Sequence, residues 1–369
     1  MSIAAGLVGL PNVGKSTLFN ALTNSSVPAE NYPFCTIDPH LACTLVPDER
    51  MNTLQTLYKS QKQIPASVQF VDIAGLVKGA ASGEGLGNQF LSHIREVDLI
   101  LHVLRCFDDP QITYSREEVD PLIDYEIIST ELMLKDLDSV QKRRVKVAQL
   151  LKSAKNNPVQ LKELEAEAPF LEHIEAALNS SDLEHVRKLL KQTTVKTELI
   201  SAKNFLIIAN IAEDEIADDA YKANKNYQKL IATFGQDRVI PVSAKLEYEL
   251  SQLNAADAEE MANMMGLRQR GLQAIISKTY QNLGLITFFT CGPKEIHAWP
   301  IKAGMTIRQA AGEIHSDLEK GFICADIFNC SDLFVYKSEA KLKEVGKIRI
   351  EGQDYIVKDG DVVNIKFNV

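Results

Sequence analysis

The stretch Gly9-Leu10-Pro11-Asn12-Val13-Gly14-Lys15-Ser16 decides the fold of the amino-terminal part of this chain. It fits the pattern G-x-x-x-x-G-K-[ST], which is the pattern of a phosphate-binding loop. Residues 3–8 before it form a short apolar run typical of a buried strand, and residues 17–22 after it begin an amphipathic helix. The pattern therefore lies between a strand and a helix, as a phosphate-binding loop requires.

The residue types in this loop fit the chemistry of phosphate binding. Glycines allow the backbone to turn so that successive N–H groups point at phosphate oxygens, and the following helix adds its positive amino-terminal end. We expect Lys15 to reach the β- and γ-phosphates and the Ser16 hydroxyl to bind Mg²⁺. The predicted nucleotide contacts in this segment are Asn12, Val13, Gly14, Lys15, Ser16 and Thr17.

A second motif of phosphate-loop NTPases follows the predicted strand 68–71. Asp72, at the end of that strand, can hold Mg²⁺ through water, and the Gly75 amide can contact the γ-phosphate. Between the two motifs, Thr36 is the candidate switch-loop ligand of Mg²⁺, with an ordinary turn threonine as the alternative. The predicted metal ligands are therefore Ser16, Thr36 and Asp72.

The segment that reads the base departs from the common GTPase pattern. Guanine-specific proteins carry N-K-x-D after this strand, whereas Asn210-Ile211-Ala212-Glu213 follows residues 205–209 here. Ile211 cannot supply the lysine, and Glu213 is one methylene longer than the aspartate that bonds guanine. A site discriminates strongly against a ligand when binding leaves polar groups unpaired. Without the aspartate, most of the preference for guanine should therefore be lost. Asn210 can still bond adenine, so we expect ATP to be preferred over GTP.

Other residues complete the predicted site. Ser243, Ala244 and Lys245 follow the predicted strand 239–242 and are expected to close the base pocket. Leu76 stands where many GTPases have the glutamine that orients the attacking water, so another group has to do this.

Two residues are candidates for that missing function. Asn12 could help to hold K⁺ near the phosphates, with a hydrogen bond that braces the loop as the alternative. His102 could position water, with a core histidine in an apolar strand as the more common alternative. The predicted catalytic residues are therefore Lys15, Gly75 and His102.

Composition limits the remaining function classes. The 369 residues are 45% hydrophobic and 24% charged, and no apolar stretch is long enough to span a bilayer, so no membrane partner is expected. Six scattered cysteines without a C-x-x-C pair argue against a zinc site and indicate a reducing, cytoplasmic location. A net charge of −9 excludes a generic nucleic-acid binder.

Residue composition and hydrophobic pattern divide the chain into three parts. Residues 1–125 and 198–283 alternate apolar strands with helices and predict one α/β nucleotide-binding domain. Residues 126–197 are rich in Leu, Lys and Glu, and predict an inserted helical arm with a seam at Leu161, Leu164, Ala168 and Leu171. Residues 284–369 predict a small α+β module. It has one helix at about 307–319 and strands at 285–291, 296–300, 347–350, 353–357 and 362–367.

With these motifs together, the chain closely resembles the YchF/Obg-like ATPase family along essentially its whole length. The resemblance is carried by L-P-N-V-G-K-S-T (10–17), Y-P-F-C-T-I-D-P (32–39), D-I-A-G-L-V-K-G-A (72–80) and N-x-x-E (210–213). It implies an α/β P-loop NTPase (G-type) domain, an inserted helical coiled-coil arm and a C-terminal ubiquitin-like β-grasp domain called TGS. It also implies Mg²⁺-dependent hydrolysis of ATP and association with ribosomes, either the large subunit or the 70S particle.

Two basic segments are candidates for RNA contact. The run 141–146 lies on the predicted arm, and Lys337, Lys341, Lys343, Lys347 and Arg349 lie in the last module. A solvated surface is the alternative for both. Two alternatives to an ATPase switch also stay open, namely a nucleotide-binding module with negligible hydrolysis and a GTPase.

The first prediction concerns Lys15. Replacing Lys15 by Ala removes the only lysine of the loop, so we expect nucleotide binding to be abolished while the domain stays folded. Equilibrium binding measured by calorimetry, with circular dichroism as the control for folding, checks this. Tight binding retained by a folded Lys15→Ala protein would refute the assigned site.

Overall fold

The structure is a computed structural model that describes residues 3–25, 40–73, 86–114, 116, 118–153, 157–193, 195, 197–267 and 270–368. Its contacts divide the chain into two compact units. The nucleotide-site unit contains residues 4–19 and 71–267, and the C-terminal unit contains residues 1–3, 20–70 and 268–369. None of the helices in the described ranges is long and apolar enough to cross a membrane.

Strands and helices alternate in the first part of the chain, and helices dominate the middle. The strands are β1 (Ala4–Val8), β2 (Leu41–Leu45), β3 (Lys62–Ile64), β4 (Ser67–Asp72), β5 (Leu99–Arg105), β6 (Asn204–Asn210), β7 (Val239–Val242), β8 (Leu285–Cys291), β9 (Glu295–Lys302), β10 (Phe322–Asn329), β11 (Arg349–Glu351) and β12 (Asp361–Phe367). The helices are α1 (Lys15–Asn24), α2 (Arg50–Tyr58), α3 (Leu86–Glu96), α4 (Pro121–Ser153), α5 (Pro158–Asn179), α6 (Leu183–Gln192), α7 (Glu213–Ile216), α8 (Lys225–Phe234), α9 (Ala244–Ser251), α10 (Ala255–Met264), α11 (Gly271–Asn282), α12 (Ile307–Ile314), α13 (Ser316–Lys320), α14 (Cys330–Tyr336) and α15 (Glu339–Glu344).

The nucleotide-site unit is built on a parallel sheet. The end of β4 is followed along the sheet by β1, β5, β6 and β7, and β5 pairs in parallel with both β1 and β6. Every residue of β1 and β5 is buried, which explains why both sequences are mostly apolar rather than alternating between apolar and polar residues. Because parallel strands end at one edge of the sheet, the loops after β1, β6 and β7 come together there, beside the last residue of β4.

Helices α4, α5 and α6 lie between β5 and β6 in the sequence and have a hydrophobic cluster of their own. The predicted seam takes part in it, because Leu164 and Leu171 are buried and Ala168 packs against the cluster. The Asn157 side chain accepts a hydrogen bond from the Gln160 amide (3.3 Å) and caps the start of α5. These elements agree with the predicted helical insertion.

A buried aspartate joins the long helix α4 to the chain that returns toward β6. Asp136 accepts hydrogen bonds from the amides of Ile200 (3.1 Å) and Ser201 (2.8 Å) and from the Ser201 hydroxyl (2.6 Å). Burial raises the pKa of this carboxyl group, although the three donors oppose the change. The end of the insertion is therefore held by both oxygens of one carboxylate.

The C-terminal unit contains a mixed sheet with the order β11-β10-β12-β8-β9-β3. Strands β8 and β9 are antiparallel, β12 lies parallel to β8, and α12 contributes Ile307 and Ala310 to the core beneath the sheet. This arrangement of a helix on a mixed sheet is the predicted β-grasp fold class.

Three details of the predicted C-terminal module are wrong. Residues 353–357 form no strand, and only Ile356 makes an isolated bridge, to Thr306. The predicted helix 307–319 is divided into α12 and α13 because His315 adopts an extended conformation (φ −165°). The module also contains α14 and α15 and the strand β10, which the sequence pattern did not reveal.

Residues 20–70 belong by their contacts to the C-terminal unit. Strand β3 pairs in parallel with β9, with Lys62 opposite Glu295. Arg50 on α2 forms ion pairs with Asp48 (2.7 Å) and Asp359 (2.6 Å). The sequence pattern assigned residues 20–70 to the first domain instead, and the limits of the three predicted domains stay predictions.

The second prediction concerns Asp136. Replacing Asp136 by Ala leaves two buried amides and a hydroxyl without their acceptor, so we expect a loss of about 2–4 kcal/mol in the free energy of unfolding. Asp138→Ala is the matched control, because Asp138 is half-exposed and its ion pairs among the described residues are with Lys135 and Lys142. The loss in Asp138→Ala should stay below about 1 kcal/mol. Urea denaturation measures both, and equal losses would contradict the buried role.

Candidate functional site

The phosphate-binding loop has the backbone conformation that its sequence requires. Asn12 (φ 65°) and Gly14 (φ 94°) both lie in the left-handed region. A Cβ atom on Gly14 would lie 2.1 Å from Nδ2 of Asn210, so no other residue fits there. The loop leads directly into α1, which begins at Lys15.

Lys15 and Asp72 form an ion pair. Lys15 is 8% exposed and Asp72 is 17% exposed. The two residues come from the end of the loop after β1 and from the end of β4, so the sheet edge brings the two predicted motifs into contact. The lysine predicted to bind phosphate and the carboxylate predicted to hold the metal ion are therefore adjacent.

The side chain of Asn210 connects the phosphate-binding loop to the loop after β7. Its Nδ2 donates to the Val13 carbonyl (2.8 Å), and its Oδ1 accepts from the Ala244 amide (2.9 Å). Asn210 is 4% exposed. The predicted contact of Asn210 with adenine stays a prediction, and one N–H of the carboxamide is left for it.

A cleft of about 610 Å³ lies beside the phosphate-binding loop. The loop after β5 forms one of its walls, which sequence reasoning missed because that segment matches no nucleotide motif. Its lining residues are Asn12, Gly14, Thr17, Phe107, Asp108, Asp109, Pro110, Ile112, Asn210, Ile211, Ala212, Glu213, Asp214, Ser243, Ala244 and Lys245. The predicted base-pocket residues are thus gathered in one concave site next to the loop.

Glu213, in the position of the guanine-binding aspartate, is engaged within the protein. Its carboxylate pairs with the ammonium group of Lys245 at 2.7 Å, and this contact raises the pKa of Lys245. A carboxylate with a lysine partner is a poorer acceptor for guanine N1 and N2 than a free aspartate.

The residues that would hold Mg²⁺ are only partly within the described chain. Ser16 at the start of α1 and Asp72 offer a hydroxyl and a carboxylate, the hard oxygen ligands that Mg²⁺ takes together with water and substrate phosphates. The described residues contain no group of three or more His, Cys, Asp or Glu suited to a metal. A Mg²⁺ site made of one hydroxyl, one carboxylate, water and substrate phosphates does not need such a group. Thr36, Gly75 and Leu76 lie outside the described residues.

His102 lies in the core rather than at the cleft. It is 3% exposed, and its ring packs against Tyr125 (5.0 Å between centroids) and Phe205 (5.8 Å). Burial lowers its pKa to about 3, so it stays neutral. Because it does not line the cleft, its surroundings favour the core alternative and give no support to a water-positioning role.

Asn12 braces the loop. Its Nδ2 donates to the carbonyl of Thr113 at 3.1 Å. The bracing alternative for this residue is therefore present in the structure, while the contact with K⁺ stays a prediction.

Comparison with known proteins agrees with this geometry. A family model described as 50S ribosome-binding GTPase matches residues 4–136, and the YchF-GTPase C-terminal model, described as a protein of unknown function, matches residues 285–368. The chain is 44% identical over 379 residues to the ribosome-binding ATPase YchF of Bacillus subtilis (strain 168), with both chains covered completely. It belongs to the YchF family.

Two further YchF proteins support the same assignment. The ribosome-binding ATPase YchF of Escherichia coli O157:H7 is 43% identical over 370 residues, again with complete coverage of both chains. The solved structure of the Schizosaccharomyces pombe YchF GTPase superposes with a TM-score of 0.83 at 35% identity, covering 99% of this chain and 98% of that one. The predicted family and fold class are confirmed.

The basic run on the arm of this YchF family member is largely neutralised. Arg143 pairs with Glu167 (2.6 Å), and Arg144 pairs with Glu172 (3.0 Å) and Glu175. These contacts join α4 to α5, so the structure favours an ion-paired helix face over a free RNA-binding run.

The second basic surface is less neutralised. Lys347 lies 3.4 Å from Asp332, and Arg349 lies 3.3 Å from Glu351. Lys337, Lys341 and Lys343 are exposed, and they form no ion pair with any described residue.

The third prediction follows from the buried His102. The unfolded chain takes up a proton near pH 6.5 and the native chain only near pH 3, so the native state loses stability as the pH falls below about 6.5. Between pH 7 and pH 5 this residue should cost about 2 kcal/mol. Urea denaturation at both pH values should show that His102→Leu reduces the loss by that amount. His173→Leu, at an exposed position of α5, is the control, and an unchanged loss in His102→Leu would contradict the buried neutral state.

Proposed function

We propose that this protein is a ribosome-associated ATPase that binds ATP with Mg²⁺ and hydrolyses it to ADP and phosphate. The observation that carries the proposal is the single cleft lined by the phosphate-binding loop, by residues 210–214 and by residues 243–245. Such a cleft can hold the phosphates at one end and the base at the other.

The charged residues have distinct roles in this proposal. Lys15 is paired with Asp72, and a bound triphosphate would offer its ammonium group a stronger anionic partner. Ser16 and Asp72, with Thr36, would then hold Mg²⁺, which supplies charge neutralisation of the phosphates when bound. Gly75 would contact the γ-phosphate through its amide.

The residues at the base end of the cleft support a preference for ATP over GTP. Glu213 is paired with Lys245, and Ile211 replaces the lysine of N-K-x-D. The side chain of Asn210 already holds the loops after β1 and β7 with one donor and one acceptor. A guanine base would therefore lack the bidentate carboxylate that guanine-specific sites provide.

A second candidate is a nucleotide-binding module with negligible hydrolysis. The position of His102 favours it, since this residue is buried away from the cleft. Leu76 has an apolar side chain, so neither residue supplies a polar group in the cleft to orient the attacking water. Phosphate release in K⁺ buffer, with and without ribosomes, separates the two candidates. In the ATPase proposal, K⁺ near Asn12 supplies the positive charge that an arginine supplies elsewhere.

The relatives support the proposed partner and the names of the domains. The Bacillus subtilis and Escherichia coli proteins are named ribosome-binding ATPases, and we extend that association and a cytoplasmic location to this chain. We also propose that the arm is a coiled coil, that the C-terminal module is a TGS domain, and that RNA contact uses Lys337, Lys341 and Lys343. The arm contributes fewer free cations than its sequence suggests.

The fourth prediction tests base choice. Affinities for ATP and GTP are measured side by side by calorimetry with Mg²⁺, first in K⁺ and then in Na⁺ buffer, with Lys15→Ala as the control for non-specific binding. We expect ATP to bind at least about tenfold more tightly, which corresponds to about 1.4 kcal/mol. Equal affinities, or tighter GTP binding, would return the chain to the general GTPase class.

A further inference from the structure

Arg105, the last residue of β5, is a buried cation. It is 1% exposed, and none of the described carboxylates forms an ion pair with it. Three of its nitrogens donate instead to backbone carbonyls of the next loop. Nε donates to Phe107 (3.2 Å), one terminal nitrogen to Ile112 (3.1 Å) and the other to Asp109 (3.1 Å).

Two aromatic rings complete the surroundings of this guanidinium. Its central carbon lies 4.5 Å from the centroid of the Phe107 ring and 5.1 Å from that of Tyr114. A buried charge is tolerated only when its donors are satisfied. The three acceptors are carbonyls of one loop. A loop conformation that withdrew them would leave the buried charge without hydrogen-bond partners, so the conformation that supplies all three is favoured.

The loop fixed in this way is the wall of the cleft that no nucleotide motif predicted. Phe107, Asp108, Asp109, Pro110 and Ile112 all line the cleft. Its far end is held by Asn12, which donates to the carbonyl of Thr113. The loop therefore runs from a buried arginine to the phosphate-binding loop, with its middle facing the ligand space.

We propose that Arg105 is a positioning residue that holds residues 107–112 as the wall against which the base and ribose of the nucleotide pack. This inference rests on the proposed nucleotide site. Arg105 itself touches no ligand, because it is enclosed by the loop that it shapes. The phosphates, in contrast, would be bound by residues 9–16, none of which accepts a hydrogen bond from Arg105.

Lysine cannot replace Arg105 in this role. An ammonium group keeps the charge, but it lacks the planar fork that reaches three carbonyls while packing against two rings. Arg105→Lys should therefore loosen the wall without removing the charge. Arg238→Lys is the matched control, because Arg238 also lies over a ring, that of Phe205 at 5.0 Å, and does not line this cleft.

The test compares two ligands by calorimetry, ATP and tripolyphosphate, which has the phosphates without base or ribose. We expect Arg105→Lys to weaken ATP binding by about tenfold or more and tripolyphosphate binding by less than about twofold. Arg238→Lys should change neither. If a folded Arg105→Lys protein lost affinity for both ligands to the same extent, or kept its affinity for both, the inference would be overturned.

A measurement on the unaltered protein covers the case in which Arg105→Lys does not fold. Hydrogen exchange of residues 107–113 should be slowed by ATP and not by tripolyphosphate. Equal protection by both ligands, or none by ATP, would overturn the inference about the wall while leaving the nucleotide site intact. If the unaltered protein binds neither ligand, the proposed function fails, and the inference fails with it.

Discussion

The buried side chain of Asn210 is the contact on which the site depends. One carboxamide accepts from the loop after β7 and donates to the phosphate-binding loop. The close approach of this side chain is also what excludes any residue but glycine at position 14. A residue expected to read the base is thus first a structural bridge, and the conformations of both loops follow from its two hydrogen bonds. Any contact with a base would have to use the N–H that this bridge leaves free.

Much of the fold was predictable because its strands are continuous apolar runs. Strands β1 and β5 are buried along their whole length, and β7 is buried at three of its four residues. Strands β1 and β7 are also followed directly by segments with a predicted role in the site. Strand β10 was missed because Phe322 to Asn329 mixes exposed and buried positions without regular alternation. The break at His315 was missed because its cause is an extended residue within an otherwise helical pattern. Local patterns describe local structure, and these two features depend on tertiary packing.

The candidate site also has parts that the sequence predicts and parts that it does not. The phosphate-binding loop and Asp72 follow from motifs, since their chemistry fixes residue types at fixed spacing. The wall formed by residues 107–112 has no such pattern, because it contacts the cleft through mixed side chains held by one buried arginine. The ion pairs of the basic run on the arm could not be predicted from the sequence, for a related reason. Its partners, Glu167 and Glu175, are on another helix, and sequence order does not reveal that they neutralise it.

The pairing of β3 with β9 has a consequence for how the chain is made. Lys62 lies opposite Glu295, so a strand synthesised early has its partner near the end of the polypeptide. Domains generally fold as they emerge, amino terminus first. Here the early strand has to remain without this partner until β9 has been synthesised. An amino-terminal fragment that ends before β9 therefore leaves the edge of β3 without β9, and such unpaired edges associate with other chains. The sheet of the C-terminal unit can therefore be completed only late in synthesis.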